Sequence, residues 1–213
     1  MRNKFDMQLD NLNNNLISMG ARCEEAIACA VKSLLTGDSS LTAKAIEAYH
    51  EIERMERDIE SLCMKLLLSQ QPVASDLRQI SSALKMITDM ERIGDQAGDI
   101  AEICVYINPS DGRGGAHISD MAQSVIKMVT DSINAYVARS TDTARAVIAY
   151  DDVVDALFTN VKGDLIAMIA QDTSCGERAL DILMIAKYLE RIGDHAVNIA
   201  GWVLYSITGV HES

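Results

Sequence analysis

Proline and aromatic residues are scarce in this chain of 213 residues. Two residues are proline and 4% are aromatic, although 48% are hydrophobic, so the apolar side chains are mainly those of Leu, Ile, Val, Ala and Met. This composition is typical of helices, and proline, the residue that most often interrupts a helix, is nearly absent. The composition therefore predicts an all-α fold.

Basic residues are also in short supply. Lys and Arg number 19 against 31 Asp and Glu, which gives a net charge of -12 and a pI near 4.7, and the basic residues form no cluster. Such a chain repels the phosphates of nucleic acids and the anionic face of a membrane, so neither is expected as a direct partner. The polar start at residues 1–6 does not resemble a secretory signal, and no apolar run reaches membrane-spanning length. A cytoplasmic location is expected, with membranes reached only through partners.

Disulfide and zinc motifs are missing as well. The cysteines are odd in number and contain no CxxC pair, which argues against a disulfide framework and against a zinc knuckle. A reducing compartment is expected, in which all of them pack as small buried apolar residues. They are Cys23, Cys29, Cys63, Cys104 and Cys175.

Regularly spaced apolar residues, in contrast, are abundant. They recur at three- and four-residue intervals over long stretches, which short polar segments interrupt. The pattern predicts six helices, at residues 4–36, 39–69, 73–107, 117–138, 141–170 and 177–207. A glycine-rich stretch at the midpoint divides the chain into a first domain at 1–107, a linker at 108–116 and a second domain at 117–213.

An internal repeat relates the two halves. The segment Leu84–Asp95 reappears 99 residues later as Leu183–Asp194, with the identical run Glu-Arg-Ile-Gly-Asp on the third helix of each half. Chance does not explain this identity at matched positions, so we predict two duplicated three-helix bundles with up-down-up order. An apolar stripe on the third helix of the first half is predicted to face the core. It comprises Met86, Ile93, Ala97, Ile100 and Cys104.

Acidic residues form a ridge on the opposite side of that helix. Glu91, Asp95 and Asp99 fall within about 80° of one another, and successive members are about 6 Å apart along the axis. Oxygen donors at this spacing suit divalent cations or iron, and the ridge has room for more than one ion. The counterparts in the second half are Glu190, Asp194 and Asn198, with His195 beside them.

A neighbouring helix must complete any metal site, and each half offers one. On the second helix Glu53, Glu56 and Glu60 lie within about 60° of one another. On the fifth helix Asp151 and Asp155 share a face at the i, i+4 spacing. We therefore predict one metal site in each half, in a solvent-accessible groove between two helices.

An ordinary solvated surface also explains a single acidic ridge. It does not explain Gly94 and Gly193, which recur in the middle of the repeated helix although glycine there costs about 1 kcal/mol relative to alanine. Close helix packing and ligand access to the backbone would each account for these glycines, and the sequence leaves both open. We find no catalytic Ser, Cys or His arrangement and no phosphate-binding loop, so no catalytic residues are predicted.

Three segments make the chain resemble the PhoU family over nearly its whole length. They are Gln71–Arg78, Glu91–Asp95 followed by Asp99, and Glu190–Ala200, and the late Thr208-Gly209 is similar to the family's usual end of the last helix. The resemblance implies two three-helix bundles with multinuclear clusters of Fe, Zn, Mn or Mg at the paired acidic motifs. It also implies a homodimer that represses the phosphate-starvation response and restrains phosphate uptake. Such proteins act by contact with phosphate ABC transporter subunits and a sensor histidine kinase.

The chain departs from the family pattern at three positions. Tyr49 stands where an acid is expected in the first half, and Phe158 and Lys162 stand where Glu56 and Glu60 map in the second. The two metal sites are therefore expected to be unequal.

Two other functions stay open. A carboxylate-rich helical bundle can be a di-iron enzyme of the ferritin type, but such sites use inward-facing Glu-x-x-His pairs, and none is predicted on an inward face here. The chain could also be a purely structural scaffold. The visible spectrum of iron-loaded protein would identify the enzyme, and metal analysis would identify the scaffold.

Overall fold

Six long helices make up almost all of the described chain. The computed structural model describes residues 2–69, 72–107 and 116–211. Those ranges contain no β-strand, and none of their helices has the length and apolar character needed to cross a bilayer. The helices are α1 Arg2–Thr36, α2 Ser39–Ser69, α3 Ala74–Cys104, α4 Ala116–Ala138, α5 Thr141–Gln171 and α6 Gly176–Thr208, and a short 3-10 turn, Thr173–Cys175, precedes α6.

The helix bounds match the predicted ones to within a few residues, and the main difference is at the end of α3. The sequence predicts a helix as far as residue 107, but α3 ends at Cys104, and Val105 and Tyr106 form turns whose N–H groups bond three residues back. Both side chains are largely exposed, so packing does not stabilise a further helical turn. The predicted linker at 108–116 lies outside the described residues, except for Ala116, where α4 begins.

Glycines in the left-handed region end α1 and α6. Gly37 has a φ of 72° and donates its N–H to the Ser33 carbonyl at 2.7 Å. Gly209 has a φ of 81° and donates to the Tyr205 carbonyl at 2.9 Å. Glycine adopts this conformation without strain, which makes it a natural helix stop. The predicted end of the last helix is therefore confirmed.

The helices form two three-helix bundles, as the internal repeat predicts. α1, α2 and α3 pack against one another, α4, α5 and α6 do the same, and the bundles meet where α3 contacts α6 and α1 contacts α4. α3 and α6 run antiparallel, since Asp89 bonds to Asn198 whereas Asp99 bonds to Tyr188. The domain limits of 1–107 and 117–213 remain a prediction.

The predicted apolar stripe on α3 faces the core of the first bundle. Met86, Ile93, Ala97 and Ile100 are fully buried, whereas Cys104, at the end of the helix, is half-buried. The stripe is thus confirmed, since Cys104 also packs against the core although it is only half-buried at the end of α3.

The cysteines are less uniformly buried than the sequence predicts. Cys23 and Cys63 are buried, and burial raises the pKa of the Cys63 thiol to about 12. Cys29 and Cys104 pack against the core but are only half-buried, and Cys175 is half-buried in the turn before α6, so the prediction of full burial is wrong for these three.

Gly94 allows α2 and α3 to pack closely. A Cβ built on it would lie 3.1 Å from Ile52 Cδ1 and 3.2 Å from Ile52 Cγ2. Ile52 is fully buried and has little room to retreat, because protein interiors are close-packed. Helix packing therefore accounts for this glycine.

Candidate metal centres

Four carboxylates from α2 and α3 lie together in the first bundle, and we call Glu53, Glu56, Glu91 and Asp95 the first cluster. The two helices are neighbours, so acids spaced i, i+3 on α2 face acids spaced i, i+4 on α3. The side chains of Glu91 and Asp95 are 18% and 23% exposed, so the groove between α2 and α3 shields most of each side chain. Burial, followed by the charge of Asp95, raises the pKa of Glu91, and burial, followed by the charge of exposed Glu60, raises the pKa of Glu56.

A basic and a phenolic side chain flank the first cluster. Arg92 Nη1 lies 2.9 Å from Asp95 Oδ2, and Arg92 Nε lies 3.5 Å from Glu91 Oε2. Tyr49 bonds to Asp95, and burial together with this hydrogen bond raises the pKa of Tyr49 to about 12. The residue that replaces an expected acid is therefore a neutral hydrogen-bond donor to the cluster.

Four carboxylates from α5 and α6 lie together in the second bundle, and we call Asp151, Asp155, Glu190 and Asp194 the second cluster. Burial, followed by the charges of Asp194, Asp155 and Glu190, raises the pKa of Asp151 to about 6. Burial and then Glu190 also raise the pKa of Asp194. Lys187 forms a close ion pair with Glu190.

The two clusters differ in the residues at their edges. Phe158 and Lys162 stand where α2 has Glu56 and Glu60, and Lys162 Nζ lies 5.3 Å from the centre of the Phe158 ring. The second cluster therefore has less negative charge along its α5 side.

Three predicted ligands, Glu60, Asp99 and Asn198, lie outside the two clusters. Glu60 is exposed, and its charge acts on Glu56. Asp99 bonds to Tyr188 on α6, and burial, followed by the charge of Glu102, raises the pKa of Asp99. Asn198 Nδ2 donates to Asp89 Oδ1 at 3.2 Å. Asp99 and Asn198 therefore join the two bundles. Each stands one helical turn after a cluster acid, and this turn rotates its side chain away from α2 or α5 and toward the other bundle.

His195, predicted as a neighbour of the second site, also lies between the bundles. Its Nδ1 is 3.0 Å from Asp89 Oδ1. Asp89 and Tyr188 are interacting residues that the acidic spacing does not predict. A signal was available, because Tyr188 stands 99 residues after Asp89, and Asn198 stands 99 residues after Asp99.

The donor chemistry of both clusters fits a hard divalent cation or iron. All eight side chains offer carboxylate oxygens. Burial and mutual repulsion raise the pKa of several of them, and a bound cation would offset this repulsion. In the described ranges no three His, Cys, Asp or Glu side chains converge as metal ligands would. Arg92 and Lys187 instead hold cluster carboxylates in ion pairs. To bind a cation, the carboxylates must exchange these partners for it.

Comparison with known families agrees with the two bundles. A family model described as the PhoU domain matches residues 16–104 and 118–203, one match in each bundle. The chain belongs to the PhoU family. A homologue from Clostridium acetobutylicum is 35% identical over 215 residues, which cover 98% of this chain and 96% of that protein. A homologue from Pseudomonas aeruginosa is 34% identical over 208 residues, 97% of this chain and 86% of that protein.

Both relatives bear the name phosphate-specific transport system accessory protein PhoU homolog. The crystal structure of PhoU from Pseudomonas aeruginosa matches this PhoU-family chain with a TM-score of 0.90 at 34% identity, over 97% of this chain and 100% of that chain. The phosphate transport system regulatory protein PhoU from Streptococcus pneumoniae gives the same TM-score at 24% identity, over 98% and 99% of the two chains, and supports the fold alone.

Proposed function

We propose that this chain is a negative regulator of phosphate uptake and of the phosphate-starvation response. The observation that carries the proposal is the PhoU-domain match in both bundles, together with relatives named as accessory proteins of the phosphate-specific transport system. In this proposal the chain works in the cytoplasm, as a homodimer, by contact with phosphate ABC transporter subunits and a sensor histidine kinase.

Exposed apolar side chains support an action by contact. Leu68 is 82% exposed, Ile166 is 69% exposed and Leu180 is 61% exposed. Leu68 lies near the end of α2, and the other two line a shallow apolar groove between α5 and α6. Apolar surface of this kind commonly marks a protein interface. It gives a homodimer or a regulated partner places to bind.

We propose that regulation does not involve catalysis by this chain. The rival di-iron enzyme requires Glu-x-x-His pairs that face the bundle core. The sequence Glu47-x-x-His50 fits that spacing, but the His50 side chain is 57% exposed and its Nδ1 lies 3.0 Å from Glu53 Oε2 at the surface. The acids of both clusters likewise lie in surface grooves, which favours a binding role over oxygen chemistry.

The two clusters are, in this proposal, cation sites that stabilise the contact surface. Glu53, Glu56, Glu91 and Asp95 would hold Fe, Zn, Mn or Mg in the first bundle, and Asp151, Asp155, Glu190 and Asp194 would do so in the second. A cation shared by carboxylates of two helices fixes the distance between those helices. Each cation would thereby fix α2 against α3 or α5 against α6 in the geometry that a partner recognises.

The regulatory proposal is tested with a starvation-gene reporter in a strain that lacks this chain. In phosphate-rich medium we expect the reporter to be active in the deletion strain, with unrestrained phosphate uptake, and silent after complementation with the wild-type chain. A tagged wild-type chain should co-purify transporter subunits or the kinase from cells grown with ample phosphate. A silent reporter in the deletion strain, with neither partner recovered, would leave the structural scaffold as the better interpretation.

A further inference from the structure

The apolar groove between α5 and α6 lies on the outside of the second bundle. Its volume is about 180 Å³, and aliphatic side chains of both helices line it, with Lys162 at one edge. Ile166 on α5 and Leu180 on α6 face it and are largely exposed. Two large aliphatic side chains on neighbouring helices are unfavourable in water, so this surface is better suited to a partner than to solvent.

The internal repeat shows that the fold does not require this apolar surface. At the 99-residue offset, Leu180 and Met184 of α6 correspond to Ser81 and Lys85 of α3. All four side chains are exposed, so the first bundle forms with polar groups at the same two places. The exposed aliphatic side chains of α6 therefore have a use other than folding.

The edge of the groove is basic where the first bundle is acidic. Lys162 stands where α2 has Glu60, and Phe158 stands where α2 has Glu56. Lys162 Nζ lies 5.3 Å from the centre of the Phe158 ring, which holds the ammonium group beside the apolar surface. The second bundle thus differs from the first in both properties that select a partner, its apolar surface and the sign of its charge.

Lys162 is a cation without an acidic partner in the chain. It forms no ion pair among residues 2–69, 72–107 and 116–211. Asp164, two residues further on, turns toward α4, where its Oδ2 lies 3.6 Å from His117 Nε2. Lys187, the other lysine at this edge, already pairs with Glu190. A carboxylate from outside the chain is therefore attracted to Lys162 in particular.

The shape of the groove fits an α-helix. Two neighbouring helices present ridges of side chains, and a third helix packs its own ridge between them. A helix bonds its backbone groups internally, whereas an extended segment would set N–H and C=O groups against aliphatic side chains that cannot bond them. From Lys162 to Ile169 the groove runs about 10 Å along α5, which accommodates about two turns of a bound helix.

We propose that this groove binds an amphipathic helix of a partner protein, whose apolar face packs on Ile166 and Leu180 and whose acidic residue pairs with Lys162. The inference rests on the proposed action by contact, and it specifies the surface of this chain and the chemistry of the partner. It needs no cation in either cluster.

Three other occupants fit the groove less well. The segment 108–115 of the chain itself has no large aliphatic or aromatic side chain with which to fill it. A symmetric contact between two copies sets the same residues against one another, and the groove lining contains no acid that could meet Lys162. An anionic membrane is repelled by the net charge of -12.

Fluorescence anisotropy with the purified full chain, in buffer with a chelator, tests the proposal. The probe is a fluorescein-labelled helical peptide of about 20 residues, with one stripe of leucines and one glutamate at the end of that stripe. It should bind saturably, and a peptide with the same residues in scrambled order should not. Ile166→Glu should weaken binding at least about tenfold, and Leu180→Gln should weaken it as well. Lys162→Glu should weaken binding up to about fivefold and should reverse the preference, so that a peptide with lysine in place of glutamate binds better.

The repeat supplies matched controls on α2. Met64 and Glu60 correspond to Ile166 and Lys162, and both are exposed. Met64→Glu and Glu60→Lys should therefore leave binding of the peptide unchanged. All variants should keep the helical circular dichroism of wild type, because none of the substituted side chains belongs to the buried core.

Three results with the peptides would overturn the assignment. They are the absence of saturable binding, equal losses in the α2 controls and the groove variants, and a preference for glutamate that survives Lys162→Glu. Two further measurements decide the occupant. If vesicles of phosphatidylcholine and phosphatidylserine sedimented wild type but not Ile166→Glu, the groove would belong to a membrane. If sedimentation velocity found a dimer for wild type but not for Ile166→Glu, it would belong to a second copy.

A photoreactive benzoylphenylalanine at position 166 tests the same contact in cells grown with ample phosphate. Mass spectrometry should find it cross-linked to a helix of another protein that carries an apolar stripe and an acid. Cross-links to other copies of this chain alone, or to no protein, would contradict the proposal. The reporter in the deletion strain does not depend on the groove variants, so failure of the groove proposal leaves the proposed regulation to its own test.

Discussion

Gly193 lies beneath the Asp151 carboxylate: a Cβ built on Gly193 would come within 3.4 Å of Asp151 Oδ1 and 3.6 Å of Val154 Cγ1. In the first bundle, a Cβ built on the matching Gly94 would have only atoms of the Ile52 side chain as its nearest neighbours. The same repeated glycine therefore serves helix packing in one half, and both packing and the approach of a cluster carboxylate in the other. Packing against a neighbouring helix therefore accounts for both glycines, and ligand access to the backbone at either of them stays a prediction.

Replacing Gly94 by alanine should lower stability by about 1 kcal/mol. Alanine gains up to about 1 kcal/mol in helix propensity, but its Cβ would press on buried Ile52, and overpacking costs about 1 to 3 kcal/mol. Gly163 is the matched control, since it is also in a helix and a Cβ there would meet nothing within 4 Å. Gly163→Ala should raise the free energy of unfolding in urea by about 0.5 to 1 kcal/mol. Equal gains from both variants would contradict the packing role of Gly94.

Asp151→Asn should stabilise the metal-free chain at neutral pH. The pKa of Asp151, raised to about 6, means that the folded state binds this proton more tightly than the unfolded state does. Stability from this group is therefore fully present below the unfolded pKa, near 4, and is lost as pH rises through about 6. Because the side chain is partly exposed and screened by water, we expect a gain of about 1 kcal/mol at pH 7.5.

Urea unfolding from pH 4.5 to 7.5 in chelator checks the sign of this effect. The advantage of Asp151→Asn over wild type should grow as pH rises, and Asp152→Asn, at an exposed neighbouring acid, serves as the control for the loss of one charge. A constant difference across this pH range would rule out the coupling of Asp151 to the other cluster acids.

The sequence predicted the fold and the two clusters because both depend on local spacing. Apolar periodicity predicts long helices with few breaks. In an up-down-up bundle, acids at the i, i+4 spacing on neighbouring helices face one another. Spacing does not predict which helix of the other bundle packs beside α3. Asp99 is rotated about 80° from Glu91 on α3, which is enough to turn it from α2 to α6. The basic partners Arg92 and Lys187 were missed for a related reason, since long side chains choose among several acids within reach.

Asp89 should contribute more to the stability of the contact between the bundles than Tyr188 does. Its Oδ1 accepts from Asn198 and lies beside His195, and the Asp89 side chain is 15% exposed. Asp89→Ala leaves both partners without this acceptor and should cost about 1 to 2 kcal/mol. Tyr188→Phe removes the single matching bond to Asp99 and should cost about 0.5 to 1.5 kcal/mol.

Urea unfolding of both variants checks this order. The control is Asp120→Ala, because the Asp120 side chain is 55% exposed and its contact with His117, at 3.9 Å, is long. Exposed pairs of this kind contribute at most about 1 kcal/mol, so the control should change stability little. A control as damaging as Asp89→Ala would mean that the contact between the bundles does not depend on these polar groups.

The clusters should lose metal independently when each loses one carboxylate. Asp95 and Asp194 occupy matching positions in the repeat, lie in different bundles and share no partner. We expect Asp95→Ala to lower the bound metal of the first bundle, Asp194→Ala to lower that of the second, and the double variant to lose most of both. Helicity should be unchanged in all three, because neither side chain belongs to the apolar core.

Elemental analysis of protein purified without chelator measures the metal content, and thermal unfolding with and without added Mn²⁺ measures its consequence. A cation that binds only the folded state raises stability by about 2.7 kcal/mol at a concentration one hundred times its dissociation constant. Added Mn²⁺ should therefore raise the melting temperature of wild type. The rise should be smaller for each single variant and smallest for the double variant. Asp58→Asn serves as the control for a change in charge alone, since this exposed acid of α2 belongs to neither cluster. If the double variant kept the full metal content and the full thermal gain, the carboxylates assigned to the two clusters would not be the ligands.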